Sequence, residues 1–162
     1  MTGSRFMPWI IGLILVSALL QSNCSHDTYR ARADVLKDHT EAFYAHLKAN
    51  RVEAAVRENE QIEAMASEME QTIRKQAAQR GTALLEREFA LMKTAKETAA
   101  SNWLALGQYF AVKKQYAQAR TTYQRVLNTY TNPTDRSYRE QAARALEDLD
   151  ILNPPTAKAA KP

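Results

Sequence analysis

Apolar side chains recur along most of the chain at intervals of three and four, the spacing that gathers them on one face of an α-helix. Tyr29, Ala33, Leu36, Thr40, Phe43 and Leu47 share such a face, with Ser25 or Asp27 as the N-cap and Asn50 as the turn that follows. From Val52 to Arg80, the residues Ala55, Ile62, Ala66, Met69, Ile73 and Ala77 form a narrow packing seam. Its glutamates come early and its basic residues late, the order that favours the helix dipole, and Gly81 stops it. At 1.5 Å per residue this helix would be about 43 Å long, a strut or an arm. A third helix, Thr82 to about Ala100, presents Leu84, Leu85, Phe89, Met92, Ala95 and Ala99; Ser101-Asn102 is able to cap it without forcing a break, so a run on into Trp103 stays open. Two further stripes follow, Trp103, Leu106, Gly107 and Phe110, then Tyr116, Ala119, Tyr123, Val126 and Tyr130, joined near Lys113–Gln115. After Asn132-Pro133-Thr134 a last helix, about Asp135 to Leu152, turns Tyr138, Ala142, Ala145, Leu146 and Leu149 inward. No stretch alternates with period two, and only four glycines interrupt 162 residues, so the fold class is all-α. A long N-terminal helical hairpin over residues 24–100 precedes a second hairpin and a capping helix over residues 101–152.

The second hairpin carries a more specific pattern. Trp103, Leu106-Gly107, Phe110, Tyr116, Ala119, Tyr123, Val126-Leu127 and then Pro133 resemble, in order and spacing, one tetratricopeptide (TPR) repeat, a helical hairpin of about 34 residues. Gly107 and Ala119 are small where the two helices would cross, and the aromatics fill the gaps beside them. Leucine at Gly107 is expected to overpack the crossing, and alanine to be mild. Pro133 falls about two residues later than the repeat places it. The resemblance covers a fifth of the chain and implies a protein-binding groove, for which the matching positions are Leu104, Gln108, Ala111 and Val112. The Lys and Asn with which some TPR proteins clamp a peptide carboxylate have no counterpart here. Repeat stacks need about three units to bury a continuous core, so packing against the long helices or against a partner must supply the rest.

The first residues read as a targeting segment. Arg5 precedes the apolar run Phe6–Leu20, which Pro8, Gly12 and Ser17 interrupt and the polar cluster Gln21–Cys24 ends. A membrane span takes about 20 apolar residues, so the run is closer to a secretory signal, residues 1–23, and export from a bacterium is expected. Cys24 is the only cysteine, which excludes a disulfide within one chain. Leu20-Gln21-Ser22-Asn23-Cys24 resembles a bacterial lipoprotein signal, which is cut before a cysteine that then carries lipid. Ser22 fits that pattern; Gln21 and Asn23 depart from it. The resemblance implies lipidation at Cys24, a membrane contact through that anchor, and, from Ser25 beside it, a place in the periplasm or at the outer membrane. Ordinary cleavage nearby and an uncleaved anchor stay open. At the other end, Asn153–Pro162 has prolines and lysines but no large apolar residue, and is expected to be a disordered tail.

Charge and reactive side chains change this picture little. The net charge of +4 is too small and dispersed to demand a nucleic acid, and export argues against one. His39 and His46 lie about two helical turns apart, too far to share a metal without further ligands, and read as boundary residues beside Phe43. Met65 and Met69 read as core, and Glu53, Glu58, Glu60, Glu63, Glu68 and Glu70 as a solvated face. No catalytic constellation, phosphate-binding loop, haem motif or cofactor signature occurs, so an enzyme is not expected. The distribution of charge is more telling. Ser101–Thr134 holds Lys113, Lys114, Arg120 and Arg125 and no acid, whereas Asn50–Ile73 holds six glutamates against Arg51 and Arg57. Those four residues are expected to attract an acidic partner, a neighbouring copy or anionic envelope material. The functional expectation is an interaction adaptor or scaffold for other envelope proteins, with a self-associating structural helical protein, a homo-oligomer, as its rival. In organisation the chain looks like TPR lipoproteins that assemble envelope machinery.

Overall fold

The computed structural model describes residues 7–76 and 82–154, with side chains described from residue 28 onward except at 82 and 84. The chain is all-α: helices α1 (Met7–Lys48), α2 (Val52–Gln76), α3 (Thr82–Val112), α4 (Tyr116–Thr129) and α5 (Arg136–Leu152), with a 3-10 turn at Pro133–Asp135 before the last. Among the described residues there is no strand. Two compact units divide the chain, Met1–Lys37 and Asp38–Pro162. The first holds the N-terminal part of α1. That helix begins at Met7, not at Ser25 or Asp27. Pro8 sits in the first turn, where a missing N–H costs nothing, and no proline or glycine lies between Gly12 and Lys48 to break the backbone. Among the described residues no helix is long and apolar enough to cross a membrane. The reading of residues 1–23 as a signal and of Cys24 as a lipidation site concerns side chains outside those described. So does the stop at Gly81, and most of the tail, from residue 155, lies beyond them as well.

The second unit is built by antiparallel returns whose turns are visible in the backbone. Asn50 adopts a left-handed conformation (φ 58°), and its N–H donates to the carbonyl of Leu47 while that of Arg51 donates to His46. This pair of bonds closes α1 and reverses the chain. Lys114 does the same for α3 (φ 59°), with its N–H on Ala111 and that of Gln115 on Phe110. Both reversals fall where the hydrophobic stripes end. Helix α2 packs along α3, α3 along α4, and α4 along α5, which returns to touch α3. The core is Phe43 and Leu47 of α1, the seam Ala55, Ile62, Ala66 and Met69 of α2, and Met92, Ala95, Ala99, Trp103, Leu106 and Phe110 of α3.

Helix α3 takes one of the two courses that the sequence left open, and it departs from the sequence reading at Phe89. It is one helix of 31 residues that runs unbroken through Ser101-Asn102. Asn102 is not a cap: it is buried and donates from Nδ2 to Oδ1 of Asn59 at 2.9 Å, while Asn59 Nδ2 donates to the carbonyl of Ala99 at 3.0 Å. A side chain with partners on the neighbouring helix has no need to compete for its own backbone. Phe89, placed on the apolar face, is 55% exposed.

Candidate partner-binding groove

The C-terminal half of α3 and the whole of α4 form the hairpin that the aromatic pattern marks. Trp103, Leu106 and Phe110 on one side and Ala119, Tyr123, Val126 and Tyr130 on the other are all buried. The crossing is close at Gly107. A Cβ there would lie 2.5 Å from Cε1 of Tyr123, with further ring atoms at 2.7 and 2.8 Å. The Tyr123 ring is buried and cannot swing aside freely, so even alanine would displace it; the expected mildness of alanine at Gly107 does not fit this geometry.

Beyond this crossing, α3 and α5 stand apart and leave a groove of about 700 Å³. Leu104, Gln108 and Ala111 of α3 face Arg144, Asp148 and Leu152 of α5 across it, with Tyr123 and Leu149 also in its lining. Three of the four groove positions taken from the sequence are thus brought together. Val112 is not among the lining residues; it stands 75% exposed at the end of α3. One wall is uncharged and the other carries both signs. The Tyr123 hydroxyl is pushed above its ordinary value by burial and then by the Asp148 carboxylate, so it is a neutral donor at physiological pH.

A polar hub locks the module to α2. Glu63 Oε1 accepts from Trp103 Nε1 and from the Tyr130 hydroxyl, both at 2.8 Å, and Oε2 accepts from Arg125 at 2.8 Å. Arg125 also reaches Glu60 at 3.2 Å and lies over the Trp103 ring, 3.8 Å from its centroid. Burial, and then Glu63, raise the Tyr130 hydroxyl well above the usual tyrosine range, which keeps it protonated as the donor. The glutamates of α2 are therefore not all a solvated face. Glu58, too, is half-buried, with Oε2 2.7 Å from His39 Nδ1 and Oε1 3.7 Å from His46 Nε2. The sequence signal missed here was the pairing of an acidic stripe on α2 with the acid-free α4.

That pairing also sorts the four basic residues. Arg120 is joined to Asp150, and Arg125 is held by Glu60 and Glu63. Lys113 and Lys114 have no carboxylate partner among the described residues, although the Lys113 ammonium lies 5.7 Å from the centroid of the Tyr109 ring. Among those residues no group of three His, Cys, Asp or Glu could hold a metal ion. Compared with known proteins, the chain matches no protein-family model, no curated protein and no solved structure.

Proposed function

We propose that this chain is a non-enzymatic adaptor or assembly factor of a bacterial cell envelope, and that its α3–α4–α5 module is TPR-like and binds protein in the groove between α3 and α5. The observation that carries this reading is the conjunction at that groove. Gly107 lets α4 pack tightly behind it, and Leu104, Gln108 and Ala111 are left facing an open cleft rather than a neighbouring helix. A cleft of this size, apolar with a few convergent polar groups, suits a peptide segment. Export through the Arg5 and Phe6–Leu20 segment, with lipid on Cys24, supplies the envelope setting.

The groove is tested by immobilising the wild-type chain and its Leu104→Glu variant and passing solubilised envelope proteins over each. A set of proteins retained by the wild type and lost on the variant, with the two helical circular-dichroism melts superimposable, is the expected result. Equal retention removes the groove from the function. The envelope setting has its own readout: mass spectrometry of the mature N-terminus should find acylated Cys24, and an intact chain in the cytosol would refute export.

A further inference from the structure

We propose that the occupant of the α3–α5 groove is helix α5 of a second copy of this chain, related by a two-fold axis; this rests on reading the groove as a protein-binding site. Arg144 and Asp148 both line the groove, one helical turn apart on α5, and neither forms an ion pair with a described residue. A helix seated antiparallel to α5 must offer a carboxylate opposite Arg144 and, one turn towards its own N-terminus, a base opposite Asp148. The sequence of α5 is that ligand. With the axis passing near residue 146, Arg144 of each copy faces Asp148 of the other, so one patch satisfies itself as a closed two-fold interface requires.

Packing and exposed surface agree with the charges. Ala145 lies between the two charged residues on the groove side of α5 and is small, so the two helices can approach closely at the axis. The most exposed large apolar residues among those described, Ile151 (79%), Val112 (75%) and Leu152 (66%), belong to the C-terminal ends of α5 and α3. Ala111 and Leu152 line the same groove, so these ends form one apolar rim. In the antiparallel pair the N-terminal turns of the other α5, around Gln141, come over that rim. A monomer leaves it in water.

The test is a charge cycle read by sedimentation of the purified full chain in mild detergent. Wild type should dimerise, and Arg144→Glu and Asp148→Arg should each weaken the dimer about tenfold or more, because each sets like charges face to face. The double exchange Arg144→Glu/Asp148→Arg should return the affinity to within about threefold of wild type, since the reversed order is equally self-complementary. Mixing the two single variants should give a heterodimer tighter than either homodimer. Superimposable circular-dichroism melts keep misfolding from imitating the effect. Wild type that stays monomeric to about 100 µM, or variants that associate as wild type does, would overturn the proposal. If the wild-type chain is monomeric and Leu104→Glu still loses captured envelope proteins, the groove binds a different protein and only the self-pairing falls.

Discussion

At Gly107 a single hydrogen atom decides whether two helices can meet. A Cβ at that position would come within 2.5 Å of the Tyr123 ring, and a buried aromatic in a packed hairpin relieves such a clash only by moving its own neighbours. Gly107→Ala is therefore expected to destabilise by about 1 to 3 kcal/mol, despite alanine's better helix propensity, and Gly107→Leu by more. Denaturant melts of the alanine variant in a Tyr123→Leu background provide the check: if the ring is the obstacle, the cost there should largely vanish. The sequence marked Gly107 as a close approach, because a small residue inside an aromatic stripe has little other reason. It could not say that the neighbour was a ring rather than a flexible chain. Tyr130 gives a second prediction at this scale. Its hydroxyl keeps its proton in the folded chain well above the value of about 10 at which the unfolded chain releases it. The folded state then binds more protons than the unfolded state above that pH, so the stability it contributes is complete below pH 10 and declines as pH rises further, by about 1.4 kcal/mol per pH unit for one tyrosine. Urea titrations between pH 9 and 11 should show a shallower alkaline decline for Tyr130→Phe than for wild type.

Between elements, the polar contacts fix how α2 and α3 align. An apolar seam of alanine, isoleucine and methionine tolerates sliding by a turn, whereas Asn59 and Asn102 satisfy one another at a single offset, as a lone polar pair does in a coiled-coil seam. Asn102→Ala leaves the Asn59 carbonyl oxygen buried without its donor and opens a small cavity, for a loss of about 1 to 3 kcal/mol. Replacing both residues, Asn59→Leu with Asn102→Ala, is expected to cost less than the single change, and a double-mutant cycle from chemical denaturation measures the difference. The helices themselves were readable in the sequence because periodicity reports burial directly. Asn50 and Lys113–Gln115 were readable as turns because the stripes stop there. The continuity of α3 was legible only as one of two alternatives. Ser101-Asn102 has the local chemistry of a cap, and only the presence of Asn59 on another helix decides that Asn102 stays helical and turns inward. The groove followed the same rule: Leu104, Gln108 and Ala111 of its α3 wall came from the resemblance to a TPR repeat, which also put forward Val112, whereas its α5 wall depends on where α4 delivers the next helix.

Across the whole chain, the separation of charge seen in the sequence is largely a device for assembling the fold. The acidic α2 and the acid-free α4 are joined through Arg125, which binds Glu60 and Glu63 and covers Trp103, so reversing this arginine attacks the hub before it affects any partner. Arg120 is likewise engaged by Asp150. Of the four basic residues expected to attract an acidic partner, Lys113 and Lys114 are the two without a carboxylate partner among the described residues, and both stand exposed at the α3–α4 turn. Changing both to glutamate reverses the local sign without touching a described ion pair. Thermal stability should move by no more than about 0.5 kcal/mol. If the turn steers an acidic partner, the association rate with proteins captured on the wild-type chain should drop by about tenfold at low ionic strength, and the difference should shrink towards zero as salt brings the screening length below about 8 Å. Arg125→Glu is the contrasting variant: it should lower the melting temperature whether or not a partner is present, because it turns the Glu63 site into a pair of opposed carboxylates beside a buried tryptophan. Stopped-flow association across a salt series, beside melts of the same variants, separates the two roles. An association rate for the double-lysine variant equal to wild type at every salt concentration would leave these lysines as ordinary solvated surface.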